Sequence, residues 1–184
     1  MRVVVIPASK YGGTAQIGRA IATTLRERGI DVDVSQPEHL FDLSPYAAHI
    51  IGSGLYLGKW LKRAVEFVES NQAALREKPT WLFSSGPLDA KTPKTPANQG
   101  SIERLMAASD ALDHQLFGGR LDIERLERTE RMLAKLIGAS NSDFRDWDRI
   151  AAWVNGIADQ LLAVGQEPTP TPETAPSSRI DRSE

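Results

Sequence analysis

The run Arg2-Val-Val-Val-Ile6 is β-branched with no polar break, the pattern of a strand buried on both faces. Such a strand needs a sheet covered by helices on both sides, and the following residues supply them. Ile17, Ile21 and Leu25 recur every four residues, giving one face of a helix that starts at Thr14 and that Gly29 ends. Asp31 to Ser35 alternates Val32 and Val34 as a short second strand, and Ala48-His-Ile-Ile51 reads as a third. A helix with Leu61, Ala64, Val65 and Val68 inward precedes the fourth strand, Thr80-Trp-Leu-Phe83. Leu88 to Gly100, with Pro93 and Pro96, reads as a loop, and Ile102, Leu105 and Met106 begin another helix. Asp113 to Phe117 makes a fifth strand, and Leu126, Leu133 and Ile137 mark the helix after it. The last helix runs from about Arg145, with Trp147, Ile150, Ala151, Val154, Ile157 and Leu161 on one side and Asp143 as its N-cap. Strands alternating with helices predict right-handed crossovers, hence an α/β, doubly wound domain with a five-stranded parallel sheet in the order 2-1-3-4-5.

Composition narrows the chemistry. The chain of 184 residues has no Cys, so thiolate metal sites, disulfides and Cys nucleophiles are excluded. With 22 basic and 24 acidic residues the formal charge is -2, which gives no footprint for nucleic acid and no strongly one-signed face for long-range steering. No run approaches the ~18 apolar residues of a membrane span, and the chain opens directly on a strand, so a cytoplasmic protein is expected, with peripheral membrane contact left open. Residues 1–165 are expected to form one domain. Beyond it Pro168, Pro170, Pro172 and Pro176 alternate with Thr, Glu and Ser, and 166–184 read as a disordered, Pro-rich tail.

In a doubly wound sheet, ligands occupy the crevice at the carboxyl ends of the strands where the strand order reverses. Three loops converge there. Ser9-Lys10-Tyr11-Gly12-Gly13-Thr14 joins a buried strand to a helix N-terminus and offers two hydroxyls and two unobstructed glycine N–H groups, the parts of a phosphate cradle; it is equally a tight turn with Thr14 as the helix cap. It matches neither the Walker nor the dinucleotide pattern, and with no distant carboxylate for a ribose it suits a mononucleotide. Gly52-Ser53-Gly54-Leu55-Tyr56-Leu57-Gly58 can admit a flat ligand on which an aromatic stacks, with Tyr56 and Trp60 alternatively packing residues. Ser84-Ser85-Gly86-Pro87 can present N–H groups to the polar edge of a ring, or be a type II-like turn. His39, His49 and His114 lack metal-ligand spacing and read as structural. Glu124 to Arg131 alternates signs as a solvated helix face.

The three loops, in this order and on these strands, resemble the flavodoxin-like family, and more closely its branch that includes the bacterial menaquinone-dependent protoporphyrinogen oxidases. The resemblance rests on Ala8 to Thr14 with Gln16-Ile17, on Ile51 to Gly58 leading to Ala64-Val-Glu-Phe-Val68, and on Ala90-Lys-Thr-Pro-Lys-Thr-Pro96. It rests further on Phe117-Gly-Gly-Arg-Leu121 and on Asp143-Phe-Arg-Asp-Trp147. It implies a flavodoxin-like fold that binds FMN, with the phosphate among Ser9, Lys10, Tyr11, Gly12, Gly13 and Thr14. The isoalloxazine would be flanked by Ser53, Gly54, Leu55 and Tyr56 and by Ser84, Ser85, Gly86, Pro87 and Leu88; whether Tyr56, Leu57 or Trp60 meets the flavin stays open. The implied activity is oxidation of a porphyrinogen, in heme biosynthesis, with a quinone or protein acceptor, and Lys91 and Lys94 would pair with the substrate's propionates or simply be solvated. Two alternatives stand beside it: an electron-transfer flavodoxin working between redox partners, and a flavin-free interaction protein that keeps the fold.

Overall fold

The computed structural model describes residues 1–56, 58–86, 96–136 and 140–164. Strands β1 (Arg2–Ala8), β2 (Asp31–Val34), β3 (Ala48–Tyr56), β5 (Thr80–Gly86) and β6 (Asp113–Gly118) form one parallel sheet in the order β2-β1-β3-β5-β6, which is the expected 2-1-3-4-5 winding. A short β4 (Lys59–Trp60) folds back antiparallel on the end of β3, pairing Leu55 with Trp60 and Tyr56 with Lys59. Helices α1 (Gly13–Glu27) and α6 (Trp147–Val164) cover one face; α2 (Lys62–Ser70), α3 (Gln72–Arg76) and α4 (Pro96–Ser109) cover the other. Between β6 and α6 come β7 (Arg120–Leu121), the helix α5 (Arg128–Leu136) and β8 (Ser142–Asp143), with β7 and β8 paired antiparallel.

Side chains alternate between the two faces with the period of a strand. Val3, Val5, Ile50, Trp81 and Phe83 join Ile17, Ile21 and Leu25 of α1 and Ile150, Val154 and Ile157 of α6. Val4, Ile6, Ile51 and Leu82 join Ala64, Phe67 and Val68 of α2 and Leu105 of α4. Phe117 and Trp153 meet edge-on with centroids 5.5 Å apart, closing the first of these cores beside Phe83. Helix α1 ends as expected at Gly29: its φ of 79° is left-handed, and Ile30 N–H reaches the Leu25 carbonyl (3.1 Å) while Gly29 N–H reaches Arg26 (2.9 Å). Gly18 is needed where α1 crosses β1, because a Cβ there would stand 2.7 Å from the Pro7 ring.

Several boundaries differ from the sequence expectation. The glycine-rich residues Gly52 to Tyr56 belong to β3 rather than to a loop, and Ser84-Ser85-Gly86 is strand rather than turn, since both runs find ladder partners on a neighbouring strand. Helix α4 begins at Pro96, six residues before Ile102, with proline at the first helical position where its missing N–H costs nothing. The last helix begins at Trp147 and is capped by Asp146, whose Oδ1 accepts Arg149 N–H at 2.9 Å; Asp143 instead pairs with Arg145. Trp147 is 45% exposed rather than inward, with the Arg145 guanidinium 4.6 Å from its ring centre. Leu57, Pro87 to Thr95, Ile137 and the proposed tail lie outside the described residues.

His49 is fully buried within the sheet, with Nδ1 3.2 Å from Thr80 Oγ1. Burial, and secondarily the Lys78 ammonium, push its pKa from 6.5 down to about 4. An unfolded chain therefore takes up a proton that the folded one refuses. This contribution to stability is complete above pH 6.5 and is lost as pH falls toward 4, on the order of 3 kcal/mol over that window. Denaturant unfolding at neutral pH and near the lower end of the window should show this loss, and His49→Gln should flatten the dependence.

Candidate functional site

The carboxyl ends of β1, β3 and β5 meet at one edge of the sheet, at the reversal point between β1 and β3. The chain leaves β1 at Ala8 and turns into α1 through Ser9 to Gly12. Gly12 has a φ of 89°, a left-handed conformation that a side chain would strain, and its N–H donates to Ser9 Oγ at 2.9 Å. Gln16 N–H closes the first helical turn on the Gly12 carbonyl at 3.0 Å. The N–H groups of Gly13, Thr14 and Ala15 thus lie in the first turn, where no intrahelical acceptor exists, at the positive end of the helix dipole.

The three expected segments touch. Thr14 is buried and its Oγ1 lies 2.7 Å from Ser85 Oγ, tying the start of α1 to β5. Lys10 N–H donates to the Tyr56 hydroxyl at 3.1 Å, tying the same loop to β3. Gly54 sits between them: a Cβ there would stand 2.9 Å from both Thr14 Oγ1 and the Tyr56 ring. The Tyr11 and Tyr56 rings are 6.0 Å apart and tilted by 60°. Gly86 meets Gly119, whose N–H donates to the Gly86 carbonyl, so the end of β5 is bounded by glycine backbone on that side.

Not every hydroxyl in these segments faces the crevice. Ser53 Oγ accepts Leu61 N–H (3.0 Å) and donates to the Gly54 carbonyl (2.9 Å), which fixes the β3–β4 turn. Ser84, one residue before Ser85 and so on the opposite face, has its Oγ 2.7 Å from the Trp60 indole N–H and 2.8 Å from His114 Nε2. Trp60 is accordingly a packing residue of the core formed by Val4, Ile6 and Leu82. Pro87, Leu88, Lys91 and Lys94 lie outside the described residues.

The structure adds residues that sequence reasoning did not connect with the loop. Arg63 of α2 donates to the Ser9 carbonyl at 2.7 Å and pairs with Glu38 at 3.0 Å. Arg145, with its side chain nearly buried, bonds both Gln16 and Asp143, and its neighbour Phe144 donates its N–H to the Gly119 carbonyl at 3.0 Å. The Arg145 guanidinium holds the Asp143 carboxyl below its usual pKa. Most unexpected is the charged segment read as a solvated face. Glu127 and Glu130 accept Lys10 Nζ at 3.0 and 2.9 Å, Tyr11 donates to Glu130, and Arg131 holds the Glu124 and Leu126 carbonyls. Burial, then the Glu130 carboxylate, raise the Tyr11 pKa. The Tyr11 hydroxyl, ahead of the Lys10 ammonium, lowers that of Glu130. The helical spacing of Glu127 and Glu130 was legible, but only the fold brings them onto a loop more than a hundred residues away.

Two hydroxyls and glycine amides thus gather at a helix N-terminus, joined to a tyrosine-bearing strand end and a glycine-bounded strand end, at the reversal point of a doubly wound sheet. Residues 4–148 match the Flavodoxin domain family, and the chain belongs to it. Over 172 residues it is 24% identical to the Escherichia coli (strain K12) protein named protoporphyrinogen IX dehydrogenase [quinone], covering 86% of this chain and 95% of that one. Among solved structures it resembles a Streptococcus pneumonia TIGR4 flavodoxin (TM-score 0.58, 18% identity, 89% of this chain and 99% of that one). It also resembles rubredoxin oxygen:oxidoreductase from Desulfovibrio gigas, with a TM-score of 0.62 and 14% identity over 90% of this chain and 37% of that one. These structural likenesses establish the fold. Among the described residues no helix is long and apolar enough to cross a membrane.

The Tyr11–Glu130 bond is partly shielded, and its removal should cost about 1 kcal/mol. Tyr11→Phe and Glu130→Gln are expected to destabilise by less together than the sum of their separate effects, because both cut one bond; urea unfolding of the four members of the cycle measures this.

Proposed function

We propose that this chain is an FMN-dependent oxidoreductase. The observation that carries the reading is the joining of the Gly12-Gly13-Thr14 helix start to β5 through Thr14 and Ser85 and to β3 through Lys10 and Tyr56, which would set a phosphate end beside a ring end. The residues present fit the group. Ser9 and Thr14 hydroxyls and the first-turn N–H groups suit a phosphate. Gly54 lets Thr14 and Tyr56 close on one strand end, Gly86 lets the Gly119 backbone close on the other, and Tyr56 offers an aromatic ring. Ser9, Gly12, Gly13 and Thr14 would hold the phosphate, with Gly54 to Tyr56, Ser85 and Gly86 beside the ring, while Lys10 and Tyr11 tie the loop to α5. When bound, FMN supplies the electron-transfer chemistry. The chain itself contributes position: Arg63 and Arg145 brace the two ends of the phosphate loop, and Trp60 and His114 hold Ser84 and hence the course of β5.

For the substrate, the reading is oxidation of protoporphyrinogen with a quinone acceptor, electrons and protons leaving the porphyrinogen and reducing the quinone to quinol. It is supported by the 24% identity to the Escherichia coli protoporphyrinogen IX dehydrogenase [quinone], which is matched along nearly its whole length. Lys91 and Lys94 would meet the propionates as charge-assisted contacts.

Purified protein reconstituted with FMN and freed of excess should retain a single flavin per chain, be bleached anaerobically by protoporphyrinogen, and recover its colour with menadione. Retained flavin that protoporphyrinogen does not bleach overturns the substrate and leaves an electron carrier; a chain that takes up no FMN overturns the cofactor. Gly54→Ala, which presses on Thr14 and Tyr56 together, should weaken FMN binding by roughly tenfold or more, read by quenching of flavin fluorescence.

A further inference from the structure

We infer that the cationic charge meeting the flavin's phosphate is supplied by Arg125, with Arg120 beside it, and not by Lys10, the only basic residue within the phosphate loop itself. This rests on the phosphate position proposed above. Lys10 is already spent: its Nζ lies 3.0 Å from Glu127 and 2.9 Å from Glu130, two carboxylates for one ammonium. Tyr11 is bound to the same Glu130, and Glu127 N–H reaches the Tyr11 hydroxyl at 3.4 Å. The second and third residues of the loop therefore serve as a clasp on the start of α5.

What the clasp brings to the loop is a second wall. Gly12, Gly13 and Gln16 line one side of a small cleft, and Arg120, Asp122 and Arg125 line the other. Arg125 Nη1 stands 3.8 Å from where a Cβ on Gly12 would be, and the Arg120 backbone carbonyl stands 3.7 Å from the equivalent point on Gly13, so this wall lies within contact distance of both glycines. Among the described residues Asp122 is the only carboxylate lining the cleft, and it serves both guanidiniums, Arg120 at 3.1 Å and Arg125 at 3.2 Å. Two positive groups share one negative group, leaving a net positive charge beside first-turn N–H groups that already favour an anion. The cleft measures about 20 Å³, room for roughly a water molecule, so a phosphate enters it by displacing the Arg125 side chain from Asp122. That side chain is 59% exposed and rotates without unpacking the core, and a dianion competes well against a single carboxylate for it.

The experiment compares FMN with riboflavin, which carries the same ring and lacks the phosphate, on the full-length apoprotein, its Arg125→Gln, Arg125→Lys and Lys10→Gln variants, by flavin-fluorescence titration. Arg125→Gln should weaken FMN binding by roughly 10- to 30-fold and riboflavin by less than about twofold. Arg125→Lys should recover part of the FMN loss, and the advantage of FMN over riboflavin should shrink at high ionic strength in the parent but little in Arg125→Gln. Lys10→Gln should leave the FMN-to-riboflavin ratio unchanged, any loss being shared by both ligands. An unchanged ratio in Arg125→Gln, or a fall in Lys10→Gln as large as in Arg125→Gln, overturns the inference while leaving the FMN reading intact. Parent protein that binds neither flavin overturns both. Far-ultraviolet circular dichroism confirms that each variant is folded, which the exposure of Arg125 leads one to expect.

Discussion

The parallel ladder between β1 and β3 is the interaction on which the rest depends. It runs in register from Val3 with Ala48 to Ala8 with Ser53, and beyond Ala8 the two chains part: one turns into α1, the other continues to Tyr56 and folds back through β4. A parallel sheet buried on both faces forces helices to both sides, and the connections leaving β1 and β3 run in opposite directions, one to β2 and one to β5. At this point lie the first-turn N–H groups of α1 and the paired hydroxyls of Thr14 and Ser85.

Small residues carry an unusual share of the geometry. Gly52 leaves room for the Phe83 ring, which a Cβ would meet at 2.1 Å, and Gly118 leaves room for the Phe144 carbonyl at 1.9 Å. The first allows the β3 and β5 ends to pack against a large aromatic; the second lets the segment before α6 lie across the end of β6. Arg145 follows Phe144 directly, so this contact delivers its guanidinium to Gln16. A backbone approach in one place thereby positions a charged group on a helix contributed by the other end of the chain.

Much of this was legible in residues taken alone. The β-branched run of β1, the four-residue spacing of Ile17, Ile21 and Leu25, and Gly29 as a left-handed terminator are local properties, and the winding order follows from alternating elements and right-handed crossovers. The loop Ser9 to Thr14 stood out because glycines next to hydroxyls at a strand-to-helix junction are chemically distinctive. Ser84 and Ser85 were indistinguishable in sequence, and a one-residue difference on a strand sends one to Trp60 and His114 and the other to Thr14. Where strands end was misread for a related reason: glycine and serine look like turn residues until a neighbouring strand supplies their hydrogen-bond partners.

By itself the sequence determined the class of fold, the end of α1 at Gly29 and the glycine-and-hydroxyl character of the Ser9 to Thr14 junction, because each depends on interactions among residues a few positions apart. Tertiary structure alone decided which charges reach that loop. Glu127 and Glu130 join Lys10 across more than a hundred residues, Arg125 comes beside Gly12, and Arg145 grips Gln16. Charge pairing acts over a few ångströms whatever the sequence distance, and only the packing of the segment between β6 and α6 against the start of α1 brings these groups within that range.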